Sequence, residues 1–151
     1  MQIGRRNRSL EAVVAEMDTE RRSILWREWL DSFYLAESDS EKEAMLNEEP
    51  ELFQTPWDAV VAAGTAWLAR KSGLPVPSWT KKDGRRAEKP WWCGYKPDSP
   101  LARINWLIAP PEFFDRNLFV SPSFMYRARM PAHWISPEPH WMKVLRRKFL
   151  V

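Results

Sequence analysis

Residues 55–79 read TPWDAVVAAGTAWLARKSGLPVPSW. Thr55 predicts an N-cap, Pro56 the first helical position, and Asp58 the returning half of a capping box. From Trp57 onward, Val60, Val61, Gly64, Trp67, Leu68 and Lys71 share one helical stripe. The opposite face is Ala59, Ala62, Ala63 and Ala66, so no side of the helix calls for water before Arg70 and Lys71. A helix apolar nearly all round belongs at the centre of a domain. Gly73 supplies a left-handed stop, and Pro75 and Pro77 forbid a restart. The stretch predicts a packing element and carries no chemistry of its own.

Upstream, Trp26, Trp29, Leu30, Phe33 and Tyr34 repeat at i, i+3, i+4, i+7 and i+8, with Arg21, Arg22, Arg27, Glu28 and Asp31 on the other side. This aromatic stripe reads as core. Before it, residues 1–8 form a flexible basic N-terminus, and Ser9 can cap a helix carrying Leu10, Val13, Val14 and Met17. Asp18 or Thr19 can cap a new helix or lie within one longer helix. Residues 37–51 hold seven acids and one lysine. Ser38 or Ser40 can cap a short helix there through Leu46, with acids in its first turn where the helix dipole favours them. Leu52 and Phe53 then predict a hydrophobic staple.

Downstream, TKKDGRRAEKPWWCGYKPDSP reads as a long exposed loop anchored by Trp91, Trp92 and Tyr95. Ser99–Pro100 starts a short buried helix of Leu101, Ile104, Trp106, Leu107 and Ile108. Pro111 opens a one-turn helix that Asn117 leaves, and Leu118 to Val120 are extended. Ser121–Pro122 predicts another helix, to about Arg129. Pro131 to Pro139 is non-regular, and a last helix from about His140 places Trp141, Val144, Leu145 and Phe149 on one face.

The 151 residues include ten Trp, thirteen Pro and five Gly, with 44% hydrophobic and 28% charged residues. The expected fold is mostly α: one domain over 9–151, a bundle of six or seven helices around the buried 55–71 helix, with stiff Pro-rich loops. No apolar run approaches the roughly 18 residues of a membrane span, and no signal-type core follows the basic N-terminus. The protein is expected in the cytoplasm.

Catalytic sets are missing from the pattern. His133 and His140 are separated by Pro137 and Pro139 and cannot form a helical metal pair. His133 reads as a partly buried structural residue. One cysteine, Cys93, allows no internal disulfide and reads as an apolar filler. Five scattered glycines assemble no phosphate loop. The chain is expected to be non-enzymatic, with no metal and no cofactor.

The net charge of +3 is unevenly spread: residues 1–79 carry −5 and residues 80–151 carry +8. A basic half can attract nucleic acid. The residues for such a contact are Lys81, Lys82, Arg85 and Arg86 in the loop, with Lys143, Arg146 and Arg147 on the last helix.

WREWLDSFY, the 55–79 block and APPEFFDRNLFVSPSFMYRA, in that order, resemble the domain C-terminal to the helix-turn-helix in actinobacterial-type antitoxin (XRE-like) regulators. The resemblance rests on Gly73, Leu74, Pro75, Pro77 and Trp79, then Pro110, Phe113, Arg116, Asn117, Leu118, Phe119 and Val120. It implies a toxin–antitoxin setting in which this domain binds and restrains a partner protein, often a nucleotidyltransferase-like toxin made by a neighbouring gene. It carries no catalytic residues. With some twenty residues ahead of the first strong helix, the DNA-binding domain of those regulators is absent from this reading. Within the resemblance, Phe113, Arg116, Asn117 and Phe119 are the expected partner-binding residues. The alternative is that Arg116 and Asn117 tie a tight turn.

Overall fold

The computed structural model describes residues 22–92, 96–135, 137 and 140–149, with the backbone alone at 142, 145, 146 and 149. The 1–8 segment, the helix expected from Ser9, Cys93 and Tyr95 lie outside the described residues. Within them the chain is mostly helical, and the nearest approach to a sheet is one parallel bridge between Trp91 and Leu118.

Helix α1 (Arg22–Leu35) buries Leu25, Trp26, Trp29, Leu30 and Phe33, so the aromatic stripe is core. Trp26 stacks on Trp29 at 5.3 Å between ring centroids. The rings continue edge-on through Phe33, Tyr34 and Trp134 to Trp67. Helix α2 (Asp39–Asn47) starts at Ser38, whose hydroxyl accepts from Glu41 N.

Helix α3 (Trp57–Ser72) is buried without a break from Asp58 to Ala69. It packs against α2, the 3-10 turn Ser78–Lys81 and a short α5 (Pro111–Phe114). Gly64 lets α1 and α3 close up: a Cβ there would lie 2.5 Å from Trp26 Cζ2. Gly73 ends the helix at φ 68°.

The start of α3 differs from the expected box. Thr55 makes no side-chain cap, and its buried Oγ1 has no hydrogen-bond partner. Instead the buried Asp58 carboxylate accepts from the backbone N–H groups of Phe53 (2.9 Å), Gln54 (2.6 Å) and Thr55 (3.4 Å). One carboxylate gathers three donors and fixes the approach to the helix. Leu52 and Phe53 are exposed, so no buried staple forms; Leu52 lies over Gly84.

Helix α4 (Pro100–Ile108) turns Ala102, Ile104 and Asn105 inward, not Trp106 and Leu107. The helix expected after Ser121 stops as a 3-10 turn, Pro122–Met125. The Met125 carbonyl accepts from Tyr34 Oη at 3.0 Å, and Arg127 makes a two-point ion pair with Asp31. Both partners draw the chain toward α1, away from a helical continuation. A further 3-10 turn, Ala132–Trp134, buries Trp134 and leaves His133 exposed, against the expected partial burial. Helix α6 (His140–Phe149) contributes no described side chain to the core, and Trp141 and Val144 are about half exposed.

Candidate functional site

The two motif-bearing segments meet around α5. The 80–91 stretch, expected to be part of a long exposed loop anchored by Trp91, Trp92 and Tyr95, is laced to the 110–120 turn. Ala87 N donates to Arg116 O at 3.0 Å, Trp91 N to Asn117 O at 3.1 Å, and Phe119 N to Trp91 O at 2.9 Å. Asn117 holds the turn at φ 66°, and its Nδ2 donates to Ala87 O at 3.2 Å. Asparagine is one of the few residues that tolerates this left-handed conformation.

Of the four expected partner-binding residues, Phe113 and Phe119 are buried and Arg116 and Asn117 are partly buried. Phe113 is 0% exposed and Phe119 5%. Arg116 donates from Nε and Nη2 to Thr80 O at 3.2 and 2.9 Å and from Nη1 to Glu112 O at 2.7 Å. Phe113, Arg116, Asn117 and Phe119 therefore build the turn and offer little surface. The tight turn that the sequence admits for Arg116 and Asn117 is present, and no local pattern signals the burial of both phenylalanines.

On one side of α5 lies a cleft of about 650 Å³. Six cations line it: Arg70, Lys81, Lys82, Arg85, Arg86 and Arg116, against the carboxylates of Glu112 and Asp115. Arg70 is engaged by Glu112, and Lys82 Nζ lies 2.7 Å from Glu49 Oε2. The Lys82 hydrogen bond holds the Glu49 carboxyl below its ordinary range. Lys81 forms no ion pair among the described residues, and Arg86 spends only Nε, at 3.3 Å from Asp115 O.

Arg85 does not belong to an open nucleic-acid surface: its residue is 2% exposed. Its Nη2 donates to Pro50 O, its guanidinium lies 5.0 Å from the Trp79 ring centroid, and Glu49 Oε1 is 3.7 Å away. Nε and Nη1 have no hydrogen-bond partner among the described residues. Burial pushes the Arg85 guanidinium below its ordinary pKa, against the pull of Asp58 and Glu49. The same cause acts on Arg116, opposed by Asp115 and Glu112. No sequence signal separates Arg85 from Arg86; the turn at Gly84, φ 85°, decides which points inward.

On the other side of α5 is an aromatic patch. Phe114, 46% exposed, meets Phe119 edge-on at 5.7 Å, and Phe119 contacts Trp92 at 5.0 Å. Trp92 in turn lines a hollow of about 350 Å³ with Pro97, Trp106 and Leu107. Trp106 is 51% and Leu107 62% exposed. Trp92 Nε1 donates to Ala102 O at 3.0 Å, fixing the ring against α4.

Of the remaining cations expected for nucleic acid, Lys143 and Arg147 are exposed on α6, and the side chain of Arg146 is outside those described. Among the described residues no group of three His, Cys, Asp or Glu side chains is placed to hold a metal ion. None of their helices is long and apolar enough to cross a membrane. Comparison with protein-family models, with curated proteins and with solved structures finds no match.

Proposed function

We propose that this chain is a non-enzymatic, cytoplasmic interaction module of antitoxin type, a bundle of six or seven helices around α3. It binds and restrains a partner protein. The partner class implied by the sequence resemblance is a nucleotidyltransferase-like toxin made by a neighbouring gene. The observation that carries this reading is the patch of Trp106, Leu107 and Phe114 beside the laced motif turn. Exposed aromatic and aliphatic side chains on a rigid support are the usual anchors of protein interfaces. The motif residues themselves act as that support.

Co-expression with each neighbouring gene product tests the reading. A toxic product should be neutralised and should co-purify with this chain in a defined ratio. Failure of every neighbouring product to be neutralised or bound refutes it.

A nucleic-acid-binding regulatory role is the second reading, favoured by exposed Lys143 and Arg147 on α6. It requires affinity that falls steeply with salt in proportion to the phosphates neutralised. Binding to neither DNA nor RNA at low ionic strength disposes of it.

A further inference from the structure

We propose that the cleft beside α5 is a binding site for a small phosphorylated molecule carrying two or three negative charges, with an organic body laid on its apolar floor. This inference is independent of the partner-docking reading, which uses Trp106, Leu107 and Phe114, none of which lines the cleft.

Six cations line the cleft, facing Glu112 and Asp115 from within and Glu49 from its edge. Six cations against these three carboxylates leave an excess of three positive charges, or two when Asp58, which also acts on Arg85, is counted. Arg86 and Arg116 are held by backbone carbonyls, which orient a guanidinium without cancelling its charge. Lys81 is exposed and makes no ion pair among the described residues. A phosphate monoester carries about −1.5 to −2 at neutral pH and three strong acceptor oxygens, so a mono- or diphosphate matches this excess.

The site also has a built floor. Arg116 is fixed by three side-chain hydrogen bonds, and Arg85 is clamped beneath the cleft between Pro50 O and the Trp79 ring. Buried Arg85, whose Nε and Nη1 make no hydrogen bond among the described residues, and the partly buried Arg116 hold positive charge along the cleft floor, where an anion is favoured. Planar guanidiniums suit phosphate oxygens in pairs. The remaining walls include Leu74 and Val76, and the volume of about 650 Å³ lies within the range of small-ligand pockets.

Isothermal titration of the full chain with inorganic pyrophosphate, ADP and a short single-stranded oligonucleotide tests the proposal. ADP should bind more tightly than pyrophosphate, because only ADP uses the apolar floor. The double variant Lys81→Gln/Arg86→Gln, confined to exposed positions, should weaken ADP binding by about tenfold or more. The double variant Lys143→Gln/Arg147→Gln on α6 should leave it unchanged. Three results overturn the proposal. One is no binding of either phosphate compound, and a second is equal weakening by both variants, the mark of diffuse attraction. The third is an oligonucleotide that outcompetes ADP and is lost with Lys81 and Arg86, which reassigns the cleft to nucleic acid. ADP binding no tighter than pyrophosphate removes the organic body from the assignment. Because these variants leave Trp106 and Leu107 intact, failure here and failure of partner neutralisation are read separately.

Discussion

Gly64→Ala offers the sharpest test of how α1 and α3 are joined. In an isolated helix the change is favourable, since alanine exceeds glycine in helix propensity by about 1 kcal/mol. Here the new Cβ falls 2.5 Å from Trp26 Cζ2 and 2.6 Å from Cη2, with Met125 Cε at 3.3 Å. Carbon atoms are comfortable at about 3.5–4.0 Å, so about 1 Å of overlap must be relieved. Trp26 cannot swing aside, because it is 2% exposed and stacked on the equally buried Trp29. Overpacking typically costs about 1–3 kcal/mol, and about 1 Å of overlap against an immobile ring belongs at the upper end, about 2–3 kcal/mol. Since that cost exceeds the propensity gain, the account predicts net destabilisation of about 1–2 kcal/mol. For a chain of this size the melting temperature falls by about 3–6 °C. Urea unfolding followed by circular dichroism measures the difference. In a Trp26→Leu background the sign should reverse, giving a coupling of about 1–3 kcal/mol across the pair. Stabilisation by Gly64→Ala in the wild-type background refutes the packing described for α1 and α3.

Three further expectations follow from named contacts. Asp58→Asn removes a charged acceptor from three backbone donors and should cost about 1.5–3 kcal/mol by denaturant titration; an unchanged midpoint contradicts the gathering role of Asp58. Burial, aided by Asp31, pushes the Tyr34 phenol well above its ordinary pKa. Its contribution to stability is therefore complete below the unfolded phenol value of about 10 and lost as pH rises beyond it. Ultraviolet difference absorbance should show Tyr34 ionising only with unfolding, and ionisation in the folded chain at ordinary phenol pH counts against its burial. At Asn117, φ 66° makes glycine the better replacement, so Asn117→Gly should retain more stability than Asn117→Ala; the opposite order contradicts the turn.

The described core was legible because local periodicity specifies it. Trp26, Trp29, Leu30 and Phe33 fall inside as their spacing requires, and Ser38, Ser99 and Ser121 cap the elements that follow them. Gly73 stops α3 in the left-handed conformation. What local pattern does not contain is the partner of a loop. Ala87 and Trp91 find their hydrogen bonds at Arg116 and Asn117, and that pairing makes a loop expected to be exposed into one wall of a cleft. Likewise the amphipathic pattern of α4 admits two inward faces. Packing selects Ala102 and Ile104, which puts Trp106 and Leu107 in solvent. The basic residues were visible as composition, but composition cannot say that Arg85 is clamped under Trp79 while Arg86 stays outside.

The same selection places the proposed docking anchors on the surface and the motif residues beneath them. The most direct measurement is neutralisation of a toxic neighbouring gene product by the double variant Trp106→Ser/Leu107→Ser, with its melting temperature recorded alongside. Both side chains are more than half exposed, so the fold should be retained, with a change within about 0.5 kcal/mol. The account predicts that neutralisation and co-purification are lost while stability holds. A stable variant that neutralises the partner as well as the wild-type chain contradicts it.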